Sequence, residues 1–291
     1  MTKVCRLFVY VLFLSLMLPL PTVARQCDET TAVQKQNAVP EYILKIQQRQ
    51  REMLNTTVLV RSKNSIGSGT VVFSDRRNGE WETYIQTVHH VIDKSIVPKK
   101  DDEGVTVGEE LHPVQVTLYE YKNLGRNIKQ HERIADIVAY DEEKDLALLR
   151  LRDDLFGWKY AAHVSAPYEY LLVTQKSWIV GAGLGRPPFP TDGVISAIDK
   201  DRDGNGTFIL ASAPIINGNS GGGLYIYDEE EARYELVGVV RHMGVTAIGG
   251  KIVMPVAHMA FSVHVDSVRA FLKNKGFEFI LGPNMSPMGP N

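Results

Sequence analysis

Cysteine is scarce in this chain of 291 residues, which contains only Cys5 and Cys27. Removal of an N-terminal segment after Ala24, argued below, would leave Cys27 alone, and no intramolecular disulfide could then form. The folded protein must therefore be held together by its core. The histidines show neither the His-Glu-x-x-His pattern nor a Cys/His spacing typical of zinc sites, so no catalytic metal and no cofactor are predicted.

A surplus of positive charge is also missing. Lysine and arginine number 32 against 34 acidic residues, which gives a net charge of −2. No stripe of basic residues follows the chain as it would along a phosphate backbone, so nucleic acid is not expected as a partner. A hydrophobic content of 44% with 23% charged residues is typical of a globular protein.

The N-terminus lacks the length of a membrane-spanning helix but has the parts of a secretory signal. Lys3 and Arg6 precede the apolar run Leu7–Leu20, and the small residues of Pro21–Ala24 follow. Because such a run is short for a bilayer span, residues 1–24 are predicted to be a signal peptide. The mature protein is then periplasmic or secreted, without stable membrane insertion. An uncleaved N-terminal anchor is the alternative.

The rest of the chain divides by its apolar pattern and its turn residues. Residues 25–56 are polar and carry an amphipathic pattern from Pro40 to Leu54, which predicts a helical extension. Short segments rich in Val, Ile, Thr and Tyr, separated by Gly, Asn and Asp, predict a β-domain over 57–275, closed by a helix near 265–273. The Pro/Gly-rich tail 276–291 is predicted to be disordered.

The most informative motif is Gly218–Gly222, which places Ser220 between small residues in a tight turn. In such a turn the hydroxyl is exposed, and neighbouring backbone N–H groups can converge on one point. A nucleophilic serine needs this geometry, because the oxyanion that forms during acyl transfer must be met by oriented donors. By itself, a Gly/Ser/Asn cluster is equally consistent with an ordinary loop.

A base and an acid for such a serine lie upstream. His89 and His90 follow an alternating, strand-like run, and Asp145 opens the apolar run Leu146–Leu151. The chain order His, Asp, Ser is one of those in which the serine triad occurs.

These motifs resemble the chymotrypsin-like serine proteases, most closely the protease domain of the bacterial HtrA (Deg) family. The match covers about residues 58–272. It rests on a Gly-Ser-Gly strand, a Thr-x-x-His-Val motif, an Asp-Leu-Ala-Leu strand and a Gly-Asn-Ser-Gly-Gly elbow, which are Ile66–Val72, Thr87–Val91, Lys144–Leu149 and Asn217–Gly222. The resemblance implies an all-β fold of two six-stranded antiparallel barrels, here with an N-terminal and a C-terminal helix. The chain ends too early for the C-terminal PDZ module of many HtrA proteins, so none is expected.

The resemblance also implies a role for each site residue. Ser220 would attack the scissile carbonyl, His90 would act as general base and then acid, and Asp145 would orient the imidazole. Backbone N–H groups of Gly218 and Ser220 would form the oxyanion hole. Because Asn219 is neutral where digestive proteases carry an acid, activation by a new N-terminal ammonium is not expected.

Neighbouring residues of the same types compete for two of these roles. His89 is an alternative base, but the family pattern places the base directly before Val91, which favours His90. Asp136 and Asp141 are alternative acids, but neither opens an apolar strand.

By resemblance, a strand after the elbow forms one wall of the pocket for the side chain before the scissile bond. Arg241, His242 and Met243 are therefore predicted to bind substrate, and an ion pair with Asp145 is the alternative use of Arg241. Pro214 stands where trypsin-like enzymes carry an acid, so a preference for Lys or Arg is not expected. Acidic, polar and apolar preferences stay open.

Three other segments are predicted to supply no catalytic residue and no metal or phosphate site. Asp199–Gly204 mimics the start of a calcium loop, but Leu210 stands where a bidentate acid is needed, which favours a solvated hairpin. Gly181–Gly185 lacks the full spacing of a phosphate-binding loop and is predicted to be a flexible active-site loop of the second barrel. The charged stretch Asp93–His112 is predicted to be a surface loop beside the histidine.

Together these inferences predict a secreted serine endopeptidase that cleaves protein or peptide substrates through an acyl-enzyme. A protease-fold binding protein without catalysis and a serine esterase are the alternatives. Assembly into an oligomer stays open.

Overall fold

The structure, a computed structural model, describes residues 39–122, 125, 127–152, 154–167, 171–200, 207–249 and 251–282. The predicted signal peptide, both cysteines, most of the calcium-loop mimic and the end of the predicted tail lie outside the described residues. None of the helices in the described part is long and apolar enough to cross a membrane.

Most of the described chain is β-strand. In chain order the strands are Thr57–Ser62 (β1), Ser65–Arg77 (β2), Glu80–Thr87 (β3), Ile96–Lys100 (β4), Thr106–Leu111 (β5), Val114–Lys122 (β6), Asn127–Asp141 (β7), Leu146–Leu151 (β8), His163–Val164 (β9), Lys176–Gly181 (β10), Phe189–Lys200 (β11), Thr207–Ala211 (β12), Gly223–Asp228 (β13), Arg233–Ile248 (β14) and Lys251–His264 (β15). The α-helices are Glu41–Arg49 (α1), His89–Ile92 (α2) and Val265–Asn274 (α3).

The first barrel is a closed sheet in the order β1, β2, β3, β8, β7, β6. All its neighbours are antiparallel, and β1 pairs with β6 to complete the ring. The β2–β3 turn shows how the sequence specifies a connection. Asn78 and Gly79 have positive φ of 54° and 90°, as a two-residue hairpin turn requires.

The second barrel follows the order β13, β10, β11, β12, β15, β14, and a further pairing of β13 with β14 closes it. The two-residue strand β9 adds to β14 in parallel outside this ring. The predicted fold of two six-stranded antiparallel barrels is therefore confirmed.

The charged stretch Asp93–His112, predicted to be a loop, is instead an antiparallel hairpin of β4 and β5 after a short 3-10 turn. Its backbone groups pair with each other across the two strands. All of the β5 side chains are exposed, so the surface position is as predicted. The prediction of a loop was wrong because backbone pairing does not require a buried apolar face when both strands are short and local.

The two terminal helices are present as predicted. Helix α1 buries no side chain, whereas the π-helical turn Gln50–Leu54 that continues it buries Met53 and Leu54. Helix α3 buries a stripe at helical spacing, from Val265 and Val268 to Phe271 and Leu272. The sequence predicts a disordered tail from residue 276 onward. In the structure, residues 278–281 instead form a 3-10 turn, and Ile280 of this turn is buried.

One large cluster of buried apolar side chains joins the barrels. It fills the first barrel and also includes Tyr225, Val239 and Phe271 from β13, β14 and α3. A second cluster, around Ile179 and Val237, fills the second barrel. Because the core is continuous across the two barrels, loops at their junction are held in a fixed relation, and the predicted site residues lie on those loops.

Candidate active site

His90 is positioned by the end of strand β3. The strand ends at Thr87, Val88 is extended, and the single turn of α2 begins at His89. Val91 is 1% exposed and Ile92 is fully buried, so the turn is anchored by its apolar residues. The His90 side chain itself remains 46% exposed.

Asp145 lies in the turn between β7 and β8 in a left-handed conformation, with φ of 53°. Aspartate tolerates this region better than most residues. The N–H of Asp145 donates to the carbonyl of Glu142 at 3.2 Å, and Asp141 Oδ1 accepts the N–H of Lys144 at 2.9 Å. Leu146 and the three residues after it are fully buried. The turn therefore fixes a carboxylate at the opening of a core strand.

Two hydrogen bonds join His90 to the Asp145 carboxylate. The backbone N–H of His90 donates to Oδ1 at 2.9 Å, and Nδ1 lies 2.8 Å from Oδ2. With Nδ1–H donating to the carboxylate, Nε2 of a neutral imidazole is left as the acceptor. Both hydrogen bonds come from one residue, so the ring orientation is set by the backbone as well as by the side chain.

The Asp145 carboxyl is ionised despite its burial, with only 8% of the side chain exposed. Burial alone would raise its pKa. The hydrogen bonds and charge of His90, together with the charge of Arg241, outweigh burial and hold the pKa of Asp145 below its usual value. The group is thus a permanent anion behind the imidazole at neutral pH.

Arg241, on β14, contacts the same carboxylate. Its Nε donates to Asp145 Oδ2 at 3.2 Å. The ion pair offered as the alternative use of this residue is therefore present in the structure. Arg241 does not line the cavity beside the serine, whereas His242 and Met243 do. A substrate-binding role for these three residues stays a prediction.

Ser220 lies in a turn that depends on glycine. Gly218 and Gly221 on either side have φ of 96° and 86°. A Cβ on Gly218 would also lie 2.9 Å from the backbone nitrogen of Leu184. Asn219 is 1% exposed and closes the turn, because its Oδ1 accepts the N–H of Ile216 at 3.1 Å. The backbone conformation of the turn thus requires these residue types.

The two N–H groups predicted to form the oxyanion hole have no partner among the described residues. The carbonyl of Asn217 accepts the N–H of Leu184 at 2.8 Å. Because that peptide bond is trans, the N–H of Gly218 points away from Leu184. The Ser220 hydroxyl donates to the carbonyl of Arg241 at 2.9 Å, so in this conformation the imidazole does not receive it.

Ser68, on β2 of the first barrel, ties the serine turn to the rest of the site. Its hydroxyl donates to the carbonyl of Gly218 at 2.6 Å and accepts the N–H of Ala182 at 2.7 Å. Its backbone N–H donates to the carbonyl of Ser220 at 2.7 Å. In the sequence this residue lies within the Gly-Ser-Gly motif, which predicts no role for its hydroxyl. A serine between two glycines inside a core strand was the available signal.

A cavity of about 410 Å³ lies beside Ser220. Apolar side chains dominate its walls, with His242 as the one imidazole. The lining residues are Ile66, Ile215, Ile216, Asn217, Gly218, Ser220, His242, Met243 and Val245. The 3-10 turn Gly183–Gly185 packs against Gly218, so the glycine-rich segment lies at the site, as predicted for an active-site loop.

The competing residues have other partners. The ring of His89 stacks on Tyr140, with centroids 5.3 Å apart. Asp136 pairs with Arg152 at 2.6 Å, and Asp141 pairs with Lys144 at 3.5 Å. The geometry therefore groups His90 with Asp145 and leaves the alternatives elsewhere.

Comparison with known proteins agrees with this fold. The chain is similar in structure to the serine endoprotease from Yersinia pestis, with a TM-score of 0.52 and 19% identity over 82% of this chain and 68% of that one. It is also similar to the HtrA-type protease AlgW with a tripeptide, with a TM-score of 0.53 and 19% identity over 84% of this chain and 64% of that one. The match thus spans about two thirds of each of these longer chains.

No curated protein sequence matches the chain. The family model for the trypsin-like peptidase domain matches residues 67–239, a range that contains Ser68, His90, Asp145 and Ser220 and exceeds half of the 291 residues. The resemblance to chymotrypsin-like proteases is confirmed, and the chain belongs to the trypsin-like peptidase family.

Proposed function

We propose that the protein is a serine endopeptidase that hydrolyses peptide bonds through an acyl-enzyme on Ser220. The observation that carries the proposal is the pair of hydrogen bonds by which Asp145 fixes His90. A buried carboxylate that accepts from both the backbone and Nδ1 leaves Nε2 as a base for a nearby hydroxyl.

The reaction follows from these assignments. Ser220 Oγ attacks the scissile carbonyl carbon while its proton passes to His90 Nε2. The carbonyl oxygen becomes an oxyanion that accepts from the N–H groups of Gly218 and Ser220. The imidazolium then gives its proton to the leaving amine as the C–N bond breaks. A water molecule attacks the resulting ester, loses a proton to His90, and Ser220 leaves as the restored hydroxyl.

The Ser220 hydroxyl must change partner at the first step. Its hydrogen bond to the Arg241 carbonyl holds the proton away from the imidazole. Rotation about the Cα–Cβ bond exchanges this acceptor for His90 Nε2, a small change of the kind often seen between resting and substrate-bound sites. Breaking the hydrogen bond to the Arg241 carbonyl costs little free energy, because the hydrogen bond to His90 replaces it.

The cavity supports an apolar residue before the scissile bond. Five of its nine lining residues are apolar, namely Ile66, Ile215, Ile216, Met243 and Val245. A charged side chain there would lose hydration without gaining an ion pair with these residues. We therefore expect aliphatic residues to be preferred over Asp, Glu, Lys and Arg. Cleavage of a peptide library measures this directly, and enrichment of acidic or basic residues at that position would refute it.

Location and domain limits belong to the same proposal. The N-terminal sequence supports export with cleavage after Ala24, and a periplasmic or secreted enzyme whose peptidase domain spans residues 57–275. N-terminal sequencing of the protein from its native cell tests the cleavage point.

A fluorophosphonate probe tests the proposal most directly. Wild-type protein should be labelled on Ser220 and should degrade casein, whereas Ser220→Ala should do neither. Lack of labelling in folded wild-type protein would favour a binding protein without catalysis. Labelling with turnover of short esters but not of casein would favour an esterase.

A further inference from the structure

We propose that Arg241 is a positioning residue of the acid–base pair, and that its guanidinium extends activity to lower pH by competing with the imidazole for the Asp145 carboxylate. This inference rests on the proposed function, since it concerns the same His90 and Ser220. It assigns Arg241 to the back of the catalytic pair instead of to the substrate pocket.

The geometry places two hydrogen-bond donors on one oxygen. Arg241 Nε lies 3.2 Å from Asp145 Oδ2, and His90 Nδ1 lies 2.8 Å from that same atom. The carboxylate side chain is 8% exposed, whereas the arginine side chain is 33% exposed. The ion pair is thus formed at a buried oxygen, where solvent screens it less than it would screen a surface pair.

Arg241 also contacts the nucleophile. Its carbonyl accepts the hydroxyl proton of Ser220 at 2.9 Å. One residue of β14 therefore touches Asp145 with its side chain and Ser220 with its backbone. A substitution of its side chain can separate these contacts, because the carbonyl stays in place when only the guanidinium is removed.

The electrostatic consequence has a definite sign. Asp145 stabilises an imidazolium at His90 by its negative charge, and a cation on the same carboxylate offsets part of that charge. Neutral imidazole, the form that can accept the Ser220 proton, then persists to lower pH. Removal of the guanidinium should restore the full effect of the carboxylate, so that the imidazole becomes protonated, and activity falls, at a higher pH.

Other titratable groups near His90 and Asp145 contact other residues or are exposed to solvent. On the β7–β8 turn, Lys144 pairs with Asp141 at 3.5 Å, and the side chains of Glu142 and Glu143 are exposed. On α2, His89 stacks on Tyr140 of β7.

The β4–β5 hairpin and strand β14 also carry titratable groups near the pair. The hydroxyl of Tyr140 donates to Glu109 of the β4–β5 hairpin, a hydrogen bond that raises the pKa of Tyr140 to about 12. His242, the next residue of β14, stacks on Phe261. Tyr140 therefore stays neutral and brings no charge to the carboxylate near neutral pH.

The pH dependence of kcat/KM for a peptide substrate tests the proposal. In Arg241→Met the acid limb of the profile should move upward by about 0.5–1 pH unit, as expected for the loss of one partly exposed charge. Arg241→Lys, which keeps a cation, should retain most of the wild-type profile. The matched control is Arg152→Met, which removes a surface Arg–Asp pair with Asp136 and should leave the limb unchanged.

An NMR titration separates this inference from the proposed function. In the Ser220→Ala background the midpoint of the His90 ring signals should move upward when Arg241→Met is added, whether or not the protein is an enzyme. Arg241→Gln serves if the methionine variant does not fold. Unchanged midpoints and limbs in both variants would overturn the proposal. A shifted midpoint, together with a failure of fluorophosphonate to label folded protein that retains Ser220, would overturn the proposed function instead.

Discussion

The two barrels contribute to the site in different ways. The first barrel supplies side chains, the imidazole of His90 and the carboxylate of Asp145, held by hydrogen bonds between the two residues. The second barrel supplies backbone, because the turn around Ser220 depends on glycines with positive φ. In the proposed mechanism, the first barrel thus prepares proton transfer, and the second barrel positions the proposed nucleophile and anion donors.

Each half is completed by one residue from the other barrel. Ser68 of the first barrel holds the carbonyl of Gly218, and Arg241 of the second barrel contacts Asp145. The comparison predicts that damage to the first barrel's contribution lowers the rate by spoiling proton transfer. Substitutions in the second barrel's turn should lower the rate by displacing the Ser220 hydroxyl and the N–H groups proposed to bind the oxyanion.

The largest effect is expected from the acid. Asp145→Asn keeps the shape of the side chain but removes the anion and the acceptor for Nδ1–H, so kcat should fall about 10³–10⁴-fold, as when the acid of a serine triad is made neutral. The matched control is Asp136→Asn, which changes a competing aspartate with an arginine partner and should change kcat by less than about threefold. Similar losses in the two variants would contradict the assignment of Asp145.

The same substitution tests the electrostatics without catalysis. Because the folded-state pKa of Asp145 lies below its usual value, the ionised group stabilises the fold above about pH 4 and loses this contribution as pH falls through its folded-state pKa. Urea unfolding should therefore give a difference between wild type and Asp145→Asn that narrows below about pH 4. A difference that is independent of pH would indicate a steric effect of the substitution.

The second barrel is tested at Gly218. An alanine there must adopt a φ of 96° and bring its Cβ to 2.9 Å from the nitrogen of Leu184, so the turn must shift. Loss or misplacement of one oxyanion donor should lower kcat about 10²–10³-fold. Gly79→Ala is the matched control, because its φ is 90° but nothing lies within 4 Å of the added Cβ. It should lose stability of about 1 kcal/mol at full activity.

Much of the fold and the core of the site could be predicted from the sequence. Strand segments alternate in residue type, and the three motifs each occupy the end or start of a strand. Their chain order, together with the resemblance to chymotrypsin-like proteases, brings His90, Asp145 and Ser220 into one hypothesis. The preference for His90 over His89 is consistent with the geometry, since His89 turns to Tyr140. The strands and motifs are local patterns that a sequence displays directly, whereas the two-barrel fold and the choice of His90 are what the family resemblance implies.

The features that were missed depend on contacts between distant segments. Ser68 lies 150 positions before Gly218, and no local pattern indicates which carbonyl its hydroxyl will meet. The charged run Lys99–Glu103 predicts a loop where the β4–β5 hairpin lies, although strand pairing uses backbone groups that any residue carries. The sequence leaves two roles open for Arg241, substrate binding and an ion pair with Asp145, because it does not show which way the side chain points.

Ser68→Ala gives the smallest expected effect and tests whether the two halves depend on each other. The variant leaves the carbonyl of Gly218 and the N–H of Ala182 without their partner in a site where Ser68 is fully buried. Stability should fall by about 1–3 kcal/mol, and kcat should fall roughly tenfold, because the turn keeps its glycines but loses a support for the hole. KM should change little, since the hydroxyl contacts backbone instead of substrate.

The matched control for that variant lies on the same strand. The hydroxyl of Ser74 on β2 also bridges two groups, with Thr83 Oγ1 at 2.7 Å and the N–H of Trp158 at 2.7 Å. Ser74→Ala should therefore lose a similar stability of about 1–3 kcal/mol while kcat stays at the wild-type value. If both alanine variants lowered kcat equally, the loss would report general loosening of the first barrel. A selective loss in Ser68→Ala means that the serine of one barrel is held in position by a serine of the other.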